Sequence, residues 1–165
     1  MNKPFSLKDF VCEAKLGDIT LGAGLDEVLT IFGTPETIHK RTTGMKKRRE
    51  HKWVFGNFDF FFHAHKLAKV TCSCSDSNKP IKLSKDLKLD QWIIQPGMSA
   101  ATLRSQLTAH GIAFTEPKRL PYGLPDDPLF LCVSGVRLSC NFNGKPIGLT
   151  YFGMSEEPFL PIGLV

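Results

Sequence analysis

The sequence predicts an α+β fold: two tandem units, each a helix followed by an antiparallel strand meander, forming one sheet with the helices on one side. Three observations predict it. Short apolar-periodic runs that close on glycine, Leu25 to Phe32 before Gly33 and Ala100 to His110 before Gly111, read as helices. Each is followed by runs of alternating apolar and polar residues parted by turn dipeptides, the pattern of a meander. The two meanders also correspond: Phe58, Phe60 and Phe62 match Val136, Leu138 and Cys140 at a constant offset of 78, and Lys66, Val70 and Thr71 match Lys145, Leu149 and Thr150 at 79.

In chain order, Ser6 caps a first short helix with Asp9 in its first turn and Phe10, Val11 and Ala14 as its apolar face, and Gly17 ends it. Leu16 to Leu21 reads as a strand. Asp26 caps the second helix, whose Leu25, Val28, Leu29 and Phe32 share one face before Gly33-Thr34-Pro35 stops it. Thr37 to Thr42 precedes the basic Lys46-Lys47-Arg48-Arg49 stretch. His51 to Phe55, Phe58 to His63 and Leu67 to Ser73 are strands, turned at Gly56-Asn57 and at Ala64-His65-Lys66. Asp76 to Asp90, polar and interrupted by Pro80, is a connector. Gly97-Met98-Ser99 echoes Gly24-Leu25-Asp26 and opens the longer helix in which Leu103 and Leu107 face inward. Leu129 to Val133, Val136 to Phe142 and Ile147 to Phe152 complete the second meander around Ser134-Gly135 and Asn143-Gly144. The repeat units span about 16–75 and 90–153 of a single domain, 1–165.

A chain of 165 residues, 42% hydrophobic and 22% charged, is neither disordered nor collagen-like and has room for one core. Its net charge of +5 is local. Lys40 to Lys52 holds seven basic residues and one acid, which leaves the rest of the chain at −1. The basic character therefore belongs to one arm and not to a whole surface built to grip nucleic acid. Lys8, Asp9, Glu13 and Lys15 break the apolar start, so no signal peptide is expected, and no run spans a bilayer. Five cysteines, an odd number, argue against a disulfide framework and for buried thiols, so a cytoplasmic location is expected.

From Leu21 to Pro35, a strand leads into Gly24-Leu25-Asp26-Glu27-Val28 and an apolar helix that ends in Gly33-Thr34-Pro35, with the meander after it. This arrangement resembles the repeating unit of the beta-lactamase inhibitor proteins and of small outer-membrane assembly lipoproteins, and in the former it occurs twice in tandem. The resemblance covers Leu16 to Thr71 well and Trp92 to Phe152 loosely. It implies the fold and a habit of binding other proteins. Both families are exported, whereas this sequence shows neither a signal nor a cysteine pairing. A cytoplasmic binder of this size looks like an immunity protein of a bacterial toxin system, an analogy of fold and setting.

Chemical motifs weigh against a cofactor or an active centre. Gly22-Ala23-Gly24 lacks the third glycine of a dinucleotide loop, and Glu27 in that place would repel a pyrophosphate. His63, His65, Cys72 and Cys74 are the most metal-like residues, but Cys72 falls opposite Phe58. That puts it five residues, about 17 Å, along the strand from His63, too far for one zinc. No nucleophile elbow surrounds any Ser or Cys, and Asp126-Asp127 lies between Pro125 and Pro128 as a turn. We therefore expect no cofactor, no metal and no catalysis.

The expected contacts are with a protein, specifically a toxin domain, and not with a membrane. If Phe58, Phe60 and Phe62 pack under the helices, alternation puts Asp59, Phe61 and His63 on the opposite face, joined there by Arg137, Ser139 and Asn141. An aromatic and an arginine on an open face fit a protein interface. The arm of Arg41, Lys46, Lys47, Arg48 and Arg49, and the proline-rich loop with Tyr122, Asp126 and Asp127, complete the candidate contacts. The alternative is a nucleic-acid-binding module that uses the same arm, with Trp53, Phe55 and Phe61 as stacking faces.

Overall fold

The structure, a computed structural model, describes residues 4–42, 49–74, 76, 78–117, 129–141 and 148–156, excluding the side chains at 41, 42, 49, 50 and 141. The elements are β1 (Phe5–Ser6), α1 (Leu7–Glu13), α2 (Leu25–Phe32), β2 (Thr37–Thr42), β3 (Arg49–Phe55), β4 (Phe58–His63) and β5 (Lys66–Ser73). There follow β6 (Leu89–Asp90), α3 (Ala100–Ala109), β7 (Phe114–Thr115), β8 (Leu129–Cys132), β9 (Arg137–Asn141) and β10 (Gly148–Ser155). Eight strands form one sheet in the order β2-β3-β4-β5-β10-β9-β8-β7, every neighbouring pair antiparallel. The architecture is thus α+β around a large antiparallel sheet.

Local chemistry accounts for the helices. Ser6 and Ser99 cap α1 and α3, their hydroxyls accepting from the amides of Asp9 at 3.3 Å and Thr102 at 3.1 Å. In α2 the cap is Gly24 and not Asp26, because the Glu27 carboxylate reaches back to the Gly24 amide at 3.3 Å and leaves Asp26 inside the first turn. α1 ends at Glu13, with Ala14 in the left-handed conformation, so Gly17 does not close it. Nor is Leu16 to Leu21 a strand: Leu16 and Ile19 bridge each other across the turn at Gly17-Asp18, which leaves no length for a ladder.

The core lies on one face of the sheet. Phe58, Phe60 and Phe62 of β4, Phe55 of β3, Cys72 of β5, Phe152 of β10, Leu138 of β9 and Phe130 of β8 are all buried. Phe10 of α1 stands edge-on to both Phe58 (6.2 Å) and Phe152 (5.7 Å), while Phe32 of α2 meets Phe60 at 5.0 Å and Phe55 at 5.4 Å. The α3 residue Arg104 lies over Phe130 at 5.7 Å. Each such ring withdrawn from water contributes about 1.5–3 kcal/mol, with a further increment for the edge-to-face geometry.

Two backbone fasteners tie the segments before α2 and α3 to the sheet. Gly22 donates to the Leu67 carbonyl at 2.7 Å and Leu67 donates to Ala23 at 2.8 Å. Gly97 donates to Leu149 at 3.0 Å and Leu149 donates to Met98 at 2.7 Å. Beside each fastener the strand bulges at the next residue. Ala68 has no partner between the pairs Phe61–Lys69 and Phe62–Leu67, nor has Thr150 between Ser139–Tyr151 and Cys140–Leu149. Gly148 enters the second fastener at φ +94°, where a β-carbon would collide with the Gly97 carbonyl.

Candidate protein-binding face

Side-chain alternation divides each strand between two faces. With Phe58, Phe60 and Phe62 in the core, the register extends the opposite face over the whole sheet. One row crosses all eight strands: Thr37, Val54, Asp59, Thr71, Gly153, Arg137, Leu131 and Thr115, each paired with the next. To one side lies the row His39, Lys52, Phe61, Lys69 and Ser155. To the other lie Ser73, Tyr151, Ser139 and Leu129.

Polar contacts hold the middle of this face in place. Lys52 Nζ donates to Asp59 Oδ2 at 2.9 Å, with both side chains one-third exposed. The Lys52 and Lys69 ammonium groups lie 5.9 and 5.2 Å from the centre of the Phe61 ring, within cation–π reach. Half-burial pushes the Lys69 amine below its ordinary value, and the Asp59 charge opposes that shift. Burial likewise raises the Tyr151 phenol, while its hydrogen bond with Thr71 acts the other way. Gly153 stands between Thr71 and Arg137, and a β-carbon there would come within 2.5 Å of the Val70 carbonyl. The close approach of β5 and β10 therefore requires a residue without a side chain. What these groups offer chemically is a half-buried aromatic ring with flanking cations on a rigid ladder, while Thr71 and the Tyr151 hydroxyl are buried.

Of the residues singled out from the sequence, the structure gathers Asp59, Phe61 and Arg137 on this face and places His63, exposed, at its rim in register with Lys66. The backbones of Arg41, Arg49 and Asn141 lie in β2, β3 and β9, with their side chains outside the description. Lys46, Lys47, Arg48, Tyr122, Asp126 and Asp127 lie outside the described residues. Lys52, Lys69, Thr71 and Tyr151 belong to the face and were missed. Alternation along β3 and β5 carries the signal for the first three, whereas Tyr151 follows the Thr150 bulge, which reverses the alternation counted from Leu149.

Two further expectations meet the geometry. Trp53, 6% exposed, and Phe55, fully buried, belong to the core and are not stacking faces for bases, which leaves Phe61 alone of the three on the open side. Cys72 does pair with Phe58, but the turn after β4 is only Ala64-His65, since Lys66 already pairs with His63. Cys72 is buried against Cys74, and desolvation pushes its thiol well above the ordinary range. Cys132 is raised to about 11, mainly by burial. Compared with protein-family models, curated proteins and solved structures, the chain matches none.

Proposed function

We propose that this chain is a non-catalytic, protein-binding inhibitor, most specifically a cytoplasmic immunity protein that occludes a cognate bacterial toxin, and that the open sheet face seats the partner. The observation that carries the reading is the Lys52–Asp59–Phe61–Lys69 cluster, with Arg137 in the adjoining row. An aromatic anchor and charged groups held half-buried on a rigid sheet lose little side-chain freedom when a partner arrives, which favours tight association. The core position of Trp53 and Phe55 weakens the nucleic-acid alternative, since successive bases need successive exposed rings.

We also infer two tandem units with the helices on one side of the sheet. The palindromic sheet order, the paired fasteners, the paired bulges and the contacts of Phe10, Phe32 and Arg104 support this. In this reading Gly97-Met98-Ser99 is equivalent to Gly22-Ala23-Gly24, two residues earlier than the sequence echo. Phe62 is equivalent to Cys140 at the offset of 78, but Leu67 is equivalent to Leu149 at 82, so the last strands shift relative to the offset of 79.

The test is to capture partners from native cells on tagged chain carrying a photo-crosslinker at Ser139, with and without nuclease, and then to titrate the captured protein's activity with pure chain. The expected result is a nuclease-resistant crosslink and complete inhibition at one equivalent. Capture that vanishes with nuclease, or a crosslinked protein whose activity the chain leaves unchanged, overturns the reading.

A further inference from the structure

The two edges of the sheet differ. β7 offers two residues, Phe114 and Thr115, whereas β2 offers six, Thr37 to Thr42. β2 keeps one unbroken register against β3, without proline or bulge, and among the described residues no backbone hydrogen bond reaches its outer side. An edge of that length is a template for another strand. Ile38 marks the same place from the core side. The row Ile38, Trp53, Phe60, Val70 and Met154 runs across β2, β3, β4, β5 and β10, each residue paired with the next, and is buried from Trp53 to Met154. Ile38 itself is 48% exposed, so the row ends one strand short of cover. Lys40, two residues on and on the same face, is exposed, and no carboxylate of the described residues engages it.

We infer that β2 receives an extended segment of the partner protein as a further strand of the sheet, with an apolar residue beside Ile38 and an acidic residue beside Lys40. This rests on the protein-inhibitor reading and adds how the partner is held. Pairing of the two backbones supplies affinity that any extended chain could share, and the side chains along β2 supply the selection. Residues two apart on a strand share a face, so the incoming segment carries its apolar and acidic residues at that spacing. The apolar one completes the buried row by covering Ile38. Charge decides against a second copy of this chain as the occupant. By sequence Lys40 to Lys52 bears seven basic residues and one acid, so pairing β2 with its own copy brings two such arms together. An acidic strand reverses that sign.

The probe is the end-capped peptide Thr-Glu-Glu-Thr-Val-Thr, which in antiparallel register sets its valine beside Ile38 and its glutamates beside Lys40 and Arg41. One control is fully N-methylated, keeping every side chain and charge but no backbone donor, and the other has lysines for the glutamates. Titrated into isotopically labelled full chain at low ionic strength, the probe should protect alternate β2 amides, those facing away from β3, from hydrogen exchange. It should bind about fivefold more tightly than either control. Ile38→Ser and Lys40→Gln should each weaken it about threefold, the size of one cross-strand side-chain pair. Val133→Ser, at a turn residue 82% exposed, should change nothing. Should Ile38→Ser loosen β2, Lys40→Gln carries the same test. Equal binding of the N-methylated peptide, tighter binding of the lysine peptide, or protection confined to other strands overturns the inference, as does a dimer of the chain alone that already protects β2. Stoichiometric inhibition of a captured protein that leaves the β2 amides unprotected defeats this inference alone, whereas probe binding at β2 without any inhibited partner defeats the inhibitor reading alone.

Discussion

Phe60 and Phe61 are neighbours in sequence with opposite fates. Phe60 is fully buried between Phe32 and Phe55, whereas the Phe61 ring is turned to the open face between two lysines. Truncating Phe60 to alanine should lower stability in urea melts by about 3–5 kcal/mol, since it removes transfer energy and leaves a cavity. Phe61→Ala should cost about 1 kcal/mol or less and instead weaken the partner complex. The cysteines divide in the same way. Cys12 is the only one of the five that is not fully enclosed, and burial raises the thiols of Cys12, Cys72 and Cys132. At mildly alkaline pH a thiol reagent should therefore label one cysteine slowly in the native chain and all five in denaturant. Alternation alone made Phe60 and Phe61 legible. What the thiols touch was not, because Cys72 and Cys74 are brought together by a strand end that no local pattern specifies.

Among the elements, the β4–β5 hairpin is under strain. Its two-residue turn puts Ala64 at φ 46° and His65 at φ 65°, the left-handed region that side chains with a β-carbon disfavour. Replacing the pair with Asn-Gly should raise the melting temperature, corresponding to about 1 kcal/mol, and leave the register unchanged. Elsewhere the end of β7 is tied to α3, where Arg104 grips Glu116 through two hydrogen bonds of 2.7 Å. That grip holds the Glu116 carboxyl below its ordinary value. Its contribution is present above the unfolded-state carboxylate value and is lost as pH falls through the lower folded value. Glu116→Gln should accordingly be less stable than the parent at neutral pH and equal to it in strong acid, as thermal melts at both pH values would measure. The spans of α2 and α3 were readable from periodicity and glycine stops, but the end of α1 at Ala14 and the α2 cap were not, since in α2 both Gly24 and Asp26 are competent and the reach of Glu27 chooses between them. The Leu16–Ile19 turn was misread as a strand because Leu16, Ile19 and Leu21 make a short apolar run, while Gly17 folds the segment back on itself.

At the level of the whole molecule, Phe10 touches Phe58 from the first meander and Phe152 from the last strand, so the halves share a core. Phe10→Ala should lower hydrogen-exchange protection in β4 and β10 together and keep a single unfolding transition; protection lost in only one of them would mean that the halves are energetically separate. The seam between β5 and β10 then decides the candidate site, because it sets Thr71 and Arg137 on either side of Gly153 and Lys69 opposite Ser155.

By itself the sequence determined the α+β class, most element spans and the face to which Asp59, Phe61 and Arg137 turn. All of these follow from local periodicity, because the direction of a side chain along a strand repeats every two residues wherever the strand lies. Only the tertiary structure decided which rows meet across the seam, that the bulge at Thr150 turns Tyr151 to the open face, and that Lys52, Lys69 and Arg137 fall on alternate strands. Those relations join residues far apart in the chain. They are fixed by how the two halves pack around Phe10 and by where β5 and β10 approach most closely, quantities that no local window of the sequence contains.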